Sequence, residues 1–259
     1  MKKTHRPLVI GNWKMNPESS TTAARLATEV KKGTTRVDGV DIVVAPPHPF
    51  LLEVRKVLNG SRRVLLGAQD AHWEVGGPFT GSVSLPMLAD TGVVYVIVGH
   101  SERRAAGETD SDVHKKVHAV LKARMIPVVC VGEKKRDSNA HYLNDVEKQV
   151  RAACAGISKA RMGTVVIAYE PVWAIGTGNT ATPDDAHEMK IFIQRILTDL
   201  YGRNVASKVR ILYGGSVTEH TAEALMAQGT VDGFLVGGAS LRASEFLTIS
   251  TVAARTATL

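Results

Sequence analysis

Eight short apolar runs, rich in valine and isoleucine, recur along the chain with longer and more polar segments between them. Most runs are apolar at consecutive positions rather than at alternate ones. This pattern is typical of parallel β-strands that helices cover on both faces of the sheet. We therefore predict strands at residues 8–10, 41–45, 64–68, 93–98, 126–131, 164–169, 209–213 and 233–236.

The segments between these runs carry apolar residues at spacings of three and four, which give a helix one buried face. Val113, Val117 and Val120 form one such face. Thr182 and Pro183 mark a helix start, because threonine caps free N–H groups and proline suits the first helical position. We predict helices at residues 20–31, 50–58, 112–124, 142–154, 183–200 and 218–227.

Strands that alternate with helices indicate βα units and a parallel sheet. Eight such units in 259 residues, without a linker or a break in composition, predict an α/β fold. We expect a single (β/α)8 TIM barrel that forms one domain over residues 1–259. An open doubly wound sheet is the alternative, but the first βα turn, residues 11–15, lacks the glycine pattern of a dinucleotide site.

The chain carries a net charge of +7, which favours anionic partners such as nucleic acids or phosphorylated metabolites. Lysines and arginines form only short consecutive runs, and the aromatic residues, 5% of the chain, do not alternate with these runs. We therefore expect no nucleic-acid partner. An apolar content of 44% allows a large core.

Two cysteines, Cys130 and Cys154, form no disulfide framework. The apolar run behind the basic start ends at Gly11, too early for a signal peptide, and no apolar run reaches the length of a membrane span. We expect a cytoplasmic protein in a reducing compartment, with no membrane partner.

Polar residues and glycines follow five of the predicted strands, at residues 12–14, 99–103, 170, 214–216 and 237–240. In a barrel the carboxyl ends of the strands meet at one face, where the loops build the active site. The two diglycine segments could let backbone N–H groups approach an anion, and the loops after strands 7 and 8 are the usual phosphate position. Ordinary turn chemistry is the alternative reading of each diglycine.

The remaining polar residues suit proton transfer next to a carbonyl group. Glu170, which precedes Pro171, could remove a carbon-bound proton, and His100 could donate a hydrogen bond to the developing oxyanion. Lys14 would add positive charge and Asn12 a polar contact. Taken singly, each residue could instead belong to an ordinary turn or to a solvated loop.

His114 and His118 stand four residues apart and could hold a metal ion, but no third ligand follows at a fitting spacing. We interpret them as a pair on a helix surface. We expect no metal site and no cofactor, and we interpret Cys130 as a packing residue.

Together these residues resemble the triosephosphate isomerase family through nearly the whole chain. The motifs that carry the resemblance are Gly-Asn-Trp-Lys-Met-Asn (11–16), Gly-Ala-Gln (67–69), Phe-Thr-Gly (79–81), Gly-His-Ser-Glu-Arg-Arg (99–104), Cys-Val-Gly-Glu (130–133), Tyr-Glu-Pro-Val-Trp-Ala-Ile-Gly-Thr-Gly (169–178), Tyr-Gly-Gly-Ser (213–216) and Leu-Val-Gly-Gly-Ala-Ser-Leu (235–241). In combination they are highly specific.

The resemblance implies an isomerase of glycolysis and gluconeogenesis that interconverts dihydroxyacetone phosphate and D-glyceraldehyde 3-phosphate without a cofactor. It implies that Glu170 is the base and that His100, as a neutral imidazole, is the electrophile; this pairing is long established for the family. By similarity, Lys14 and Asn12 hold the substrate and the enediolate, and Glu102 orders both of them.

The resemblance further implies a phosphate site, a lid and a homodimer. The phosphate would accept hydrogen bonds from backbone N–H groups of Gly176, Ser216, Gly237 and Gly238. Thr80, in the loop at residues 69–81, would reach Asn12 of a second subunit. The residues expected in the lid and its closure are Pro171, Trp173, Ile175, Gly178, Tyr213 and Leu235, with Trp173 on Glu133 in the open position and Ser216 as the latch partner of Tyr213.

Three positions depart from the family pattern: Asn179 replaces the usual lysine of the lid hinge, Ser82 replaces a glutamate, and the segment between Arg104 and Gly107 is one residue short. None removes a reacting group. Two other functions stay open from the sequence, namely the same chemistry on a four-carbon ketose phosphate and a non-catalytic phosphate-binding protein.

Overall fold

The computed structural model describes residues 5–174 and 181–257, and its eight strands form one closed parallel barrel. The strands are β1 (Leu8–Asn12), β2 (Asp41–Ala45), β3 (Val64–Ala68), β4 (Tyr95–Val98), β5 (Ile126–Val131), β6 (Val166–Tyr169), β7 (Arg210–Tyr213) and β8 (Gly233–Val236). The described α-helices are α1 (Ser20–Gly33), α2 (Leu51–Leu58), α3 (Leu85–Asp90), α4 (Ser101–Ala105), α5 (Asp110–Lys122), α6 (Tyr142–Cys154), α7 (Lys159–Met162), α8 (Pro183–Tyr201), α9 (Arg203–Ala206), α10 (Ala222–Ala227) and α11 (Ala243–Thr256).

The strands follow one another around the barrel in chain order, and β8 pairs with β1 to close it. The register of that closing pair runs from Leu8 beside Gly233 to Gly11 beside Val236. The predicted α/β architecture, a (β/α)8 TIM barrel, is therefore confirmed, and the open doubly wound sheet is excluded.

Alternate side chains of each strand fill two separate apolar layers. In β1, Leu8 and Ile10 point into the barrel, while Val9 packs in the layer between the strands and the helices. Both faces are buried, which explains why the strands are apolar at consecutive positions. The inner layer consists of Leu8, Ile10, Val43, Ala45, Tyr95, Ile97, Val128, Cys130, Val166, Ala168, Leu212 and Leu235.

Capping boxes mark the starts of two of the predicted helices. Thr182 accepts a hydrogen bond from Asp185 N, and Asp185 bonds the cap in return, so α8 begins at Pro183 as predicted. Thr109 and Asp112 form the same capping box, and it starts α5 two residues before the predicted position. Every described helix is too short or too polar to span a bilayer.

The sequence pattern missed α11 and extended α10 too far. The α11 helix buries Phe246, Ile249 and Ala253 at spacings of three and four. This spacing is visible in the sequence, but no helix was predicted there. The predicted helix at residues 218–227 begins only at Ala222. The side chains of Thr218 and Thr221 hydrogen-bond to each other's backbone N–H groups there and stabilise a local turn instead.

Gly233 is a position where the closing seam of the barrel allows no side chain. Its φ is +139°, and a Cβ would lie 1.9 Å from the Leu8 carbonyl oxygen, whereas Gly60 has a φ of +73° and no atom nearby. We predict that Gly233→Ala lowers the free energy of unfolding by about 3 kcal/mol or more and that the control Gly60→Ala costs about 1–2 kcal/mol. Denaturant titration measures both, and equal losses would contradict the steric explanation.

Candidate active site

Glu170 follows β6 directly and is held by the end of β5. Its backbone N–H donates to the Val131 carbonyl at 2.8 Å. A Cβ on Gly132 would lie 1.7 Å from the Glu170 carbonyl oxygen, so only glycine fits there. The Gln149 side-chain amide binds both the N–H and the carbonyl of Gly132, at 2.8 and 3.0 Å. These contacts fix the backbone that carries the Glu170 side chain.

The Glu170 carboxylate is 2% exposed and lies against the loop after β4. Its Oε2 accepts a hydrogen bond from Ser101 N at 2.8 Å. Its Oε1 is 3.0 Å from His100 Nε2 and accepts no hydrogen bond from the described residues. One oxygen is thus anchored while the other keeps a lone pair available.

His100 caps the short helix α4 and is buried. Its Nδ1 accepts a hydrogen bond from Glu102 N at 3.2 Å. An accepting Nδ1 carries no proton, so a neutral ring holds its proton on Nε2, beside Glu170. The family resemblance implies a neutral imidazole at this position, and in that form the ring can donate from Nε2.

Lys14 has a backbone φ of +51°, a conformation that costs energy in a residue with a side chain. Its N–H donates to Asn12 Oδ1 at 3.1 Å, and Gln69 Nε2 donates to its carbonyl at 2.8 Å. Its Nζ binds Glu102 Oε1 at 2.7 Å. Burial raises the pKa of Glu102, but the hydrogen bond and charge of Lys14 outweigh it and leave that pKa below its usual value.

A cavity of about 300 Å³ joins these groups to the diglycine segments. Within the described part of the chain, the backbone N–H groups of Gly215, Ser216, Gly237 and Gly238 donate no hydrogen bond. Unpaired N–H groups at a cavity wall favour an anion. The residues that line this cavity include Asn12, Lys14, His100, Glu170, Gly214, Gly215, Ser216, Leu235, Gly237 and Gly238.

Comparison with known proteins decides the family. A family model described as triosephosphate isomerase matches residues 7–253. The chain belongs to the triosephosphate isomerase family. A triosephosphate isomerase from Carboxydothermus hydrogenoformans is 47% identical over 246 residues, which cover 94% of this chain and 97% of the relative. Those from Endomicrobium trichonymphae and Roseiflexus castenholzii are 49% and 48% identical, over 93% and 94% of this chain and 96% of each relative.

The contact expected in the open lid of the triosephosphate isomerase family is present. Trp173 Nε1 donates to Glu133 Oε1 at 2.8 Å, and the same oxygen accepts from Tyr169 Oη at 2.8 Å and from Arg136 Nε at 2.9 Å. Glu133 is fully buried, and these donors compensate Oε1 for the loss of water, whereas Oε2 has no hydrogen-bond partner among the described residues. The roles of Tyr169 and Arg136 were missed, because nothing in the sequence pairs them with Glu133.

Some of the other residues that the family resemblance assigned to the lid lie outside the described residues. Ile175, Gly176 and Gly178 lie there, as does the hinge departure Asn179. The described members Pro171, Tyr213 and Leu235 are buried, and Ser216 is exposed at the cavity.

A second cavity, of about 570 Å³, shares Asn12 and Lys14 with the first and extends toward the loop at residues 69–81. Thr80 is exposed in that loop. Arg103 contacts Asp70 of its own chain, with Nε 3.2 Å from Asp70 Oδ2. The chain thus supplies this arginine with an internal carboxylate.

Two further groups have structural roles. His114 Nδ1 and His118 Nε2 lie 2.9 and 2.7 Å from the carbonyls of Ala152 and Ala155, at the end of α6. Burial, and then the charge of Glu170, raise the pKa of the Cys130 thiol well above its usual value. A thiol held in its protonated form is a poor nucleophile, which agrees with the packing role.

Trp173→Phe keeps most of the ring and removes one donor to the buried Glu133. We predict that it lowers the free energy of unfolding by about 1 kcal/mol, because two of the donors to that oxygen remain. The control Trp73→Phe removes an N–H that donates to no described residue, and it should cost less. A cost no larger than the control's would show that the hydrogen bond contributes little to stability.

Proposed function

We propose that this chain interconverts dihydroxyacetone phosphate and D-glyceraldehyde 3-phosphate by proton transfer through an enediol or enediolate. One observation carries the proposal. The free oxygen of Glu170 and Nε2 of His100 lie 3.0 Å apart at a cavity that also contains unpaired backbone N–H groups. A proton-transfer pair and an anion site in one cavity suit a short phosphorylated carbonyl compound.

Glu170 acts as the base in this proposal. Ser101 N holds one carboxylate oxygen, so the other stays aimed at a carbon-bound proton of the substrate. A base positioned in this way contributes roughly 10²–10⁴-fold to a proton-transfer rate. The same carboxyl group returns the proton to the neighbouring carbon.

His100 and Lys14 stabilise the charge that develops on the substrate oxygens. The neutral ring of His100 donates from Nε2, while Nδ1 is held by Glu102 N. Lys14 is fixed by Asn12 and Gln69 on its backbone, so its charge is in place before the substrate arrives. Such preorganised groups act strongly because they do not reorganise during the reaction.

The phosphate lies at the diglycine side of the cavity in this proposal. Ser216, Gly237 and Gly238 have backbone N–H groups that donate to no other described residue. The family resemblance adds Gly176, which lies outside the described residues. The family resemblance implies a lid that closes over Glu170 and excludes water. Of its apolar residues, Leu235 lines the cavity and Ile175 lies outside the described residues. The same resemblance assigns Pro171, Trp173 and Gly178 to this lid, and Tyr213 and Ser216 to the latch that holds it closed.

We propose a homodimer as the working form. The loop at residues 69–81 is exposed from residue 74 onwards, and the 570 Å³ cavity beside Asn12 can receive the same loop of a second copy, with Thr80 near Asn12. Met15 is 94% exposed and Val75 72% exposed, as expected of apolar residues that an interface covers. Both cysteines are buried and unpaired, which supports a cytoplasmic location.

A coupled isomerase assay with D-glyceraldehyde 3-phosphate tests the function. Turnover at a rate typical of enzymes supports it, and a protein that binds phosphate without turnover would be the non-catalytic alternative. A small site excludes one additional hydroxymethyl group only weakly, so the residues alone do not separate triose from four-carbon ketose phosphates. The kcat/KM values for the two substrates decide between them.

Glu170→Ala should lower kcat by about 10²–10⁴-fold or more, because the base is lost. Binding of inorganic phosphate should survive, since the diglycine segments are unchanged. Steady-state kinetics and calorimetry measure the two effects. Nearly unchanged activity would contradict the assignment of the base.

Gly238→Asp should weaken phosphate binding by about tenfold or more, because it places a negative charge beside the anion. No atom lies within 4 Å of a Cβ at Gly238, so the side chain fits without a clash. Gly163→Asp is the control, since its nearest contact is an ordinary 3.5 Å to Lys208 and it does not line the cavity. Equal phosphate affinity in both variants would contradict the anion site.

A further inference from the structure

Arg242 and Glu245 line the same cavity as the diglycine Gly237–Gly238, and no role has been assigned to either of them so far. Arg242 stands between that diglycine and α11, and Glu245 lies in the first turn of α11. Their charged groups form a two-point ion pair: Nη2 donates to Oε2 at 2.6 Å and Nε donates to Oε1. The pair therefore holds a guanidinium at the edge of the cavity.

Two positively charged side chains, those of Lys14 and Arg242, line the cavity that contains the proposed phosphate site. Lys14 lies near Gly237, because a Cβ on that glycine would be 3.5 Å from Lys14 Cε. Lys14 and Arg242 are the lysine and arginine side chains that line the cavity among the described residues, and His100 lines it as well. A guanidinium presents two parallel N–H donors, which fit a phosphate as well as they fit a carboxylate.

The ion pair is exposed enough to exchange partners. The Arg242 side chain is 62% exposed and the Glu245 side chain 35% exposed. Exposed pairs of this kind are held weakly, because water and salt screen the attraction. A doubly charged phosphate in the cavity can compete with the singly charged carboxylate for the guanidinium.

We propose that Arg242 is a specificity-determining residue that favours the phosphorylated form of the substrate, and that Glu245 limits this attraction in the empty site. The inference rests on the proposed function, because it places the phosphate at the diglycine side of the cavity. Arg242 adds positive charge next to the backbone N–H groups, and Glu245 offsets part of that charge until an anion arrives. The two residues must therefore act in opposite directions.

The test uses four single variants and inorganic phosphate as the probe. Arg242→Gln removes the positive charge and Glu245→Gln frees it, while both keep side chains of similar length. Arg151→Gln and Glu147→Gln are the matched controls, because they break an exposed pair on α6, 2.7 Å long, whose members do not line the cavity. Calorimetric titration at low ionic strength gives the dissociation constants, and thermal unfolding checks each fold.

We expect Arg242→Gln to weaken phosphate binding by about threefold to tenfold and Glu245→Gln to strengthen it by a similar factor, with both effects shrinking at high salt. Arg242→Gln should also lower the ratio of kcat/KM for D-glyceraldehyde 3-phosphate to that for D-glyceraldehyde. Shifts in the same direction, or shifts no larger than those of the controls, would overturn the proposal. If Arg242→Gln fails to fold, the predicted gain in Glu245→Gln still tests it.

Failure of this inference and failure of the proposed function give different results. An active wild-type isomerase with no opposite shifts in phosphate affinity overturns the role of Arg242 alone. An inactive wild-type protein that shows the opposite shifts keeps the phosphate role of Arg242 and overturns the isomerase function.

Discussion

The close crossing of two backbone segments at the carboxyl end of the barrel fixes the position of the base. Gly132, just after β5, passes so near the Glu170 carbonyl that a side chain cannot be accommodated. Gln149 satisfies both backbone groups of Gly132, so the crossing is hydrogen-bonded on each side. The position of the Glu170 carboxylate beside His100 depends on this crossing, and with it the proton-transfer geometry.

Neighbouring contacts hold Lys14, at the cavity, and Glu133, which binds Trp173, in energetically unfavourable states. Lys14 keeps an unfavourable φ because Asn12 and Gln69 hold its backbone. Glu133 is fully buried, yet it receives hydrogen bonds from a tyrosine, a tryptophan and an arginine. Strained residues and buried carboxylates persist only where neighbouring contacts determine them, and such sites are commonly functional.

The sequence predicted the barrel well because its signal is local and repeated. The runs of valine and isoleucine gave every strand to within two residues, and Thr182 and Pro183 gave the start of α8. The α10 boundary was wrong because side-chain hydrogen bonds between Thr218 and Thr221 compete with the helix. The α11 helix was missed although the spacing of Phe246, Ile249 and Ala253 indicated it.

The sequence predicted which residues form the site better than it predicted the contacts between them. Strand order places the ends of β1, β4, β6, β7 and β8 at one face, so the sequence could group Lys14, His100 and Glu170. It could not give contacts between distant segments, such as the Arg103–Asp70 pair or the bond from Ser101 N to Glu170. Those contacts depend on loop geometry that only the closed barrel determines.

Isomerisation of D-glyceraldehyde 3-phosphate in D2O, followed by proton NMR, tests the central claim most directly. A carboxylate that takes a carbon-bound proton can exchange it with solvent before returning it. The account predicts that the dihydroxyacetone phosphate formed carries deuterium at the carbon that receives the proton, in at least part of the product. Product free of deuterium, or no product at all, would contradict it.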